Sequence, residues 1–161
     1  MQVLVSAGIV LLTIAGMELF SWFIHKFLFH GPLWFIHKSH HQVNHSWFEL
    51  NDIFSLSFAL GAIWLIIAGL ELLDFRFWIG TGISLYGLIY FVFHDGFIHQ
   101  RFKTSKFGGT YLKAIRKAHK IHHKNMARSD SKEFGLLVVS PKYFKNLNAK
   151  ASARQTQLPN K

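Results

Sequence analysis

At 161 residues the chain is long enough for one domain and short for two. Half of its residues are hydrophobic and 16% are aromatic, more apolar surface than a soluble domain of this size hides easily, which favours the membrane class. Cysteine is absent, excluding disulfides, thiolate zinc sites, iron–sulfur clusters and thiolate-ligated haem, and the net charge of +10 is uneven: residues 94–161 hold fifteen of the eighteen Lys and Arg.

The first predicted element covers residues 3–24, apolar except for Glu18. It lacks the basic start and small-residue cleavage site of a signal peptide, so it is expected to stay as a helix running into His25. Gly31-Pro32 should break that helix, and the short apolar run Pro32–Ile36 suits the membrane interface, where Trp is favoured. Residues 53–70 and 77–93 carry no charge and read as two further spans. A hydrocarbon core of roughly 30 Å needs about 20 residues, so 77–93 is near the short limit. Residues 104–109 read as a loop, 110–123 as a basic helix, and 146–161 as a flexible polar tail.

If all three segments cross, residues 71–76 form the only loop opposite the histidines, and seventeen of eighteen Lys and Arg fall on the histidine side. The positive-inside bias then puts the N-terminus outside and residues 94–145 in the cytoplasm. A basic tail can mean nucleic acid, but retention beside membrane spans accounts for it, and no nucleic-acid partner is expected. The expected fold is an all-α integral membrane protein with three, or at most four, transmembrane helices and a cytoplasmic histidine-rich helical cap. Residues 1–145 would form a single membrane-embedded domain.

Ten of the eleven histidines fall into four clusters: His25/His30, His37/His40/His41, His94/His99 and His119/His122/His123. On a helix, positions i, i+3 and i+4 share a face, so each triplet should converge. The two pairs are five positions apart, about 140° on an α-helix. Both members reach one ion only if the helix ends or bulges between them; otherwise each addresses a different ion. Ten imidazoles suffice for two metal ions, and nitrogen donors alone leave zinc, copper, iron and nickel open. His45, four positions beyond His41, is a further donor or a surface residue. Glu18 lies seven positions before His25, and a carboxylate within a span costs roughly 2.5–3.5 kcal/mol on insertion scales. It either receives the second ring N–H of His25 or sits protonated or snorkelling near the interface. Asp52 and Asp95, at the ends of apolar segments, either orient ligand imidazoles or cap helices.

Several stretches are more distinctive: Met17-Glu18 through Trp22 to His25-Lys26, His30-Gly31, His37-Lys38-Ser39-His40-His41, Phe48-Glu49-Leu50-Asn51-Asp52, His94-Asp95-Gly96-Phe97-Ile98-His99-Gln100-Arg101 and Ala118-His119-Lys120-Ile121-His122-His123. Over residues 5–141 the chain thereby resembles the bacterial β-carotene 3-hydroxylases, within the fatty acid hydroxylase and sterol desaturase superfamily of membrane non-haem di-iron enzymes. The resemblance implies two iron ions held by His25, His30, His37, His40, His41, His94, His99, His119, His122 and His123, with His45 outside the pattern. It implies O2 and a reduced ferredoxin-type donor as co-substrates. The reaction would be C3 hydroxylation of β-ionone rings, from β-carotene through β-cryptoxanthin to zeaxanthin, in the inner (plasma) membrane of a bacterium. C3 is an unactivated carbon, so no side-chain acid or base is assigned; the di-iron centre itself would be the catalyst, and the protein would supply geometry and exclude water. The carotenoid would arrive from the bilayer, with aromatic residues along 20–36 and 75–93 as candidates to line its path. The basic stretch 101–124 would meet either the acidic donor or anionic membrane lipids. A fatty-acid or sterol hydroxylase or desaturase is the alternative within enzymes, and a non-catalytic membrane metal-binding protein the alternative outside them.

Overall fold

The computed structural model describes residues 1–42, 48–102, 109–124 and 133–145. His45, the loop residues 104–108 and the tail 146–161 lie outside the described residues. Among the described residues all regular structure is helical. Helix α1 spans Gln2–Ile24 and is apolar on every side. Most of its large side chains, Leu11, Leu12 and Leu19 among them, remain exposed, as suits a helix solvated by lipid. It runs without a break into a π-helical turn, His25–Phe29, so that Gln2–Phe29 is one stretch long and apolar enough to cross a membrane. Gly31-Pro32 then ends it, as expected, and α2 (Trp34–His41) follows.

Helix α3 covers Asp52–Gly69 and α4 covers Phe75–Tyr90; α4 continues through a second π-helical segment, Phe91–Ile98. The third span is therefore Phe75–Ile98, 24 residues, and not the marginal 77–93. The difference arises because His94 and Asp95, polar in sequence, stay in the helix by finding partners within the protein.

Helix α4 is the common partner of the bundle, with α1 and α3 each packed along it. Two glycines permit close approach: a Cβ at Gly80 would lie 2.7 Å from the Ala62 carbonyl, and one at Gly82 would lie 2.6 Å from the Thr13 Cβ. Small residues at helix contacts are the membrane solution to tight packing, because lipid competes for larger apolar side chains. The α1–α3 side is left largely open, bridged by the edge-to-face rings of Phe20 and Phe58 at 5.9 Å.

Helix α5 (Thr110–Lys124) is amphipathic; it buries Ala114, Ile115, Ala118, His119 and His122 and exposes Lys113, Lys120 and Lys124. Residues 133–145 return over it, Leu136 packing with Ile98 and Ile115, and Tyr143 with Ala114 and Ala118.

Replacing Gly80 by Val should force α3 from α4 and destabilise the protein by about 1–3 kcal/mol. Gly61→Val, where a Cβ meets nothing within 4 Å, serves as the comparison. Equal thermal unfolding midpoints of the two variants in detergent would contradict the packing described.

Candidate metal centre

The two π-helical segments resolve how residues five apart can act together. In each, the backbone bond closes from i to i+5: His30 N donates to the His25 carbonyl at 3.0 Å, and His99 N to the His94 carbonyl at 2.9 Å. One extra residue in the turn brings the pair onto one face. The ring centroids are 5.2 Å apart for His25 and His30 and 4.6 Å apart for His94 and His99. Such π-bulges recur at functional sites.

The imidazoles form two groups whose ligand atoms lie within 4.8 Å of one another: His25, His30, His37, His41 and His122 in the first, and His40, His94, His99 and His119 in the second. The triplets do not converge on one point. Within α2, His37 and His41 join the first group and His40 the second; within α5, His122 joins the first and His119 the second. On a helix a one-residue step turns the side chain by about 100° and a three-residue step by about 60° in the opposite sense, enough to serve two adjacent centres. His123 belongs to neither group. Its ring lies between them, stacked on His41 at 4.4 Å and 4.5 Å from that of His119.

The rings present their Nε2 atoms to one another. These nitrogens stand 3.1 Å apart for His25 and His37, 3.2 Å for His30 and His122, 3.1 Å for His40 and His94, and 3.0 Å for His99 and His119. Metal–nitrogen bonds of about 2.1 Å at right angles place adjacent donors about 3.0 Å apart, so the spacing fits shared cations. Nε2 of His123 and Nδ1 of His41 are buried with no hydrogen-bond partner among the described residues. A buried nitrogen without a partner is costly, and a cation beside Nε2 of His123 would supply one.

Behind the rings, Nδ1 atoms are held by acceptors. His25 faces the Phe134 carbonyl at 3.0 Å, His37 the Asn51 amide oxygen at 2.8 Å, His40 the Glu49 carboxylate at 2.9 Å and His94 the Asp95 carboxylate at 2.7 Å. An Nδ1–H donated backwards leaves the Nε2 lone pair pointing inwards, the state a metal requires.

Asp95 thus holds an imidazole, one of the two readings open for it. Asp52 does not touch a ring; it accepts from Glu49 N at 3.0 Å and pairs with Arg101 at 2.8 Å. Nor is Glu18 the partner of His25. It is buried and accepts from the Tyr86 hydroxyl (2.9 Å) and from Leu137 N and Val138 N (2.8 and 3.1 Å). It therefore acts on His25 through the chain, fixing the segment whose Phe134 carbonyl reaches the ring. Glu49, Asn51 and Arg101 were not expected as site residues, although all three lie in the distinctive 48–52 and 94–101 stretches, and Tyr90 was expected only as one of the lining aromatics of 75–93. The Phe134 carbonyl carried no signal, since every residue has one.

An apolar cavity of about 410 Å³ lies among α1, α3 and α4 and ends on His25, His37, His94 and His119. Its rim includes Phe20, Ile63 and Phe91, all about half exposed. Phe29, Tyr86 and Tyr90 from the expected stretches line it, and α3 adds Phe54 and Phe58. The Tyr90 hydroxyl stands 3.3 Å from Nε2 of His94.

Residues 10–142 match the fatty acid hydroxylase family. The chain belongs to that family. Among curated relatives of this hydroxylase-family chain, the beta-carotene hydroxylase of Pantoea ananas is 39% identical over 138 residues, 84% of this chain and 78% of its own. That of Pseudescherichia vulneris is 40% identical over 135 residues, 83% and 77% of the two chains. The chloroplastic beta-carotene 3-hydroxylase of Haematococcus lacustris is 39% identical over 127 residues, 73% of this chain but 39% of that longer one. No solved structure matches the chain.

Burial holds the imidazoles neutral. It pulls His37 and His99 down to about 4 and His41 to about 3, with neighbouring imidazoles adding to the effect at His37 and His41 and the Arg101 charge at His99. His40, His119 and His122 are lowered further by the same causes. In the unfolded chain these rings titrate near 6.5 and so bind more protons below that pH. The metal-free protein should lose stability as pH falls from about 6.5 to about 4, on the order of 1–2 kcal/mol per such histidine at pH 5. Equal unfolding midpoints at pH 7.5 and pH 5 would contradict neutral burial.

Proposed function

We propose that this chain is a carotenoid ring hydroxylase, carrying out C3 hydroxylation of β-ionone rings from β-carotene through β-cryptoxanthin to zeaxanthin. The observation that carries the proposal is the apolar cavity joining lipid-level residues to both histidine groups. The relatives' hydroxylase names favour a carotene over other lipids. Two non-haem iron ions are assigned to the two groups, with His123 between them. When bound, such ions supply O2 activation with electrons from a reduced ferredoxin-type donor, chemistry that no side chain provides.

The chain's own residues do the rest. Asn51, Glu49, Asp95 and the Phe134 carbonyl fix the tautomers and aim the Nε2 lone pairs. Phe54, Phe58 and Phe91 offer a dry wall for a hydrocarbon ring and keep bulk water from the histidines. The Tyr90 hydroxyl, at the inner end of the cavity, holds a proton beside His94 Nε2. The gap between α1 and α3 gives a route from the bilayer, so the substrate need not enter water. Orientation follows the positive-inside bias, with the N-terminus outside and the histidines at the cytoplasmic face of a bacterial inner membrane. Lys113 and Lys120 on the outer face of α5 meet the acidic electron donor or anionic lipid.

Expression in β-carotene-producing bacteria, followed by pigment extraction, should yield zeaxanthin with β-cryptoxanthin as an intermediate. Unchanged β-carotene with altered fatty acids or sterols would assign the chain to another lipid hydroxylase or desaturase instead. Unchanged pigment, unchanged lipids and no O2 consumption would make it a metal-binding protein without this chemistry. Gly87 lines the cavity, and a Cβ there meets nothing within 4 Å. Gly87→Phe should fill the space and cut hydroxylation by about tenfold or more, with iron content unchanged. Full activity in that variant would place the substrate elsewhere.

A further inference from the structure

The two histidine groups differ in what stands behind their rings. In the first, His25 and His37 are backed by neutral oxygens, those of the Phe134 carbonyl and the Asn51 amide. In the second, His40 and His94 are backed by the carboxylates of Glu49 and Asp95. A third carboxylate, Asp52, completes that side, and Arg101 joins all three. Its guanidinium contacts Asp52 at 2.8 and 3.0 Å and lies 3.6 Å from Asp95 and 3.9 Å from Glu49. Three carboxylates around one guanidinium leave an excess of negative charge beside the second group.

The arrangement is built into the backbone. Gln100 has φ +56°, the left-handed region that a non-glycine residue enters at a cost. The turn it makes folds Arg101 back, so that Arg101 N donates to the Asp95 carbonyl at 2.9 Å while the guanidinium reaches across to α3. Glu49 is fixed in turn by its own N–H, held on Asp52. Among the described residues two further acids are enclosed: Glu18, whose hydrogen bonds go to Tyr86, Leu137 and Val138, and Glu133, which pairs with Lys142 at 2.8 Å.

A carboxylate accepting Nδ1–H draws that proton toward itself more strongly than a neutral carbonyl does, and so makes Nε2 a more electron-rich donor. Net negative charge nearby also favours a more highly charged ion. We infer that the two metal positions are chemically unequal: the ion held by His40, His94, His99 and His119 depends on Glu49 and Asp95, kept in place by Arg101, whereas the ion held by the first group does not. Glu49, Asp95 and Arg101 are positioning residues, acting through the imidazoles. The identity of the ions rests on the iron reading above; the inequality rests only on the groups behind the rings.

The test uses the full-length protein in detergent, loaded with ferrous iron or, separately, with cobalt(II). Metal per chain is measured after incubation at graded chelator concentrations, and the iron form is also followed by Mössbauer spectroscopy. The wild type should show two quadrupole doublets. Glu49→Gln and Asp95→Asn, which keep an acceptor oxygen but remove the charge, should each weaken one ion by about 10–100-fold and move one doublet. The second ion and its doublet should stay as they were. Asn51→Asp, which puts a carboxylate behind His37, should tighten the other ion and move the other doublet, so the inference can be read even if a charge-removing variant fails to fold. Loss of both ions together in Glu49→Gln and Asp95→Asn, one shared doublet in the wild type, or no response to Asn51→Asp would overturn it. Failure to bind iron while cobalt loads in two steps would refute the iron reading and leave the inequality standing.

Discussion

Close contact between neutral imidazoles is the constraint from which the rest of this structure follows. Ring nitrogens 3.0–3.2 Å apart repel one another when their lone pairs face inward, unless a cation lies among them. The histidines must therefore be kept from rotating away and from taking up protons, and the protein does both. Burial disfavours the protonated rings, and acceptors at Nδ1 lock their orientation. Those acceptors come from three separate places: the turn before α3, the second π-helical segment, and the returning chain at 134. Removing one would free a single ring, but the folded arrangement as a whole is what keeps nine nitrogens aimed at two points.

Helix geometry had to bend to that demand. An α-helix distributes residues five apart over different faces, and each spanning helix that carries such a histidine pair widens into a π-helical turn at that pair. The triplets on α2 and α5 serve both groups instead, using the rotation between nearby helical positions to address two neighbouring centres. The site is thus assembled from pairs at its two ends and triplets along its length, and the shared helices set the separation of the groups. The three spanning helices leave an apolar space between them, because α1 and α3 pack on α4 more than on each other.

The carboxylate within the first span has a structural explanation of its own. Glu18 receives three hydrogen bonds, two from backbone N–H groups of residues 137 and 138 that no sheet or helix satisfies. A carboxyl group that would be costly in lipid becomes the anchor for a segment without regular structure. That segment closes over the first histidine group, its Phe134 ring packing against His25, His30 and His122.

Much of this was legible in the chain itself. Spans with no charge announce membrane helices, and ten clustered histidines without a cysteine announce an imidazole site, since these features depend on composition and short-range spacing. The break at Gly31-Pro32 follows from backbone chemistry alone. Spacing left open whether a pair five apart would share a centre, and only the bulged backbone decided that it does. Likewise, Glu18 seemed placed for His25 by helical register, yet its acceptor oxygens were claimed by residues 119 and 120 positions away. Glu49, Asn51 and the Phe134 carbonyl became ring partners only when distant segments met. The sequence by itself determined the donors and the membrane setting; tertiary structure decided which donors share a centre and what stands behind each, because hydrogen bonds form between atoms brought close in space regardless of their order along the chain.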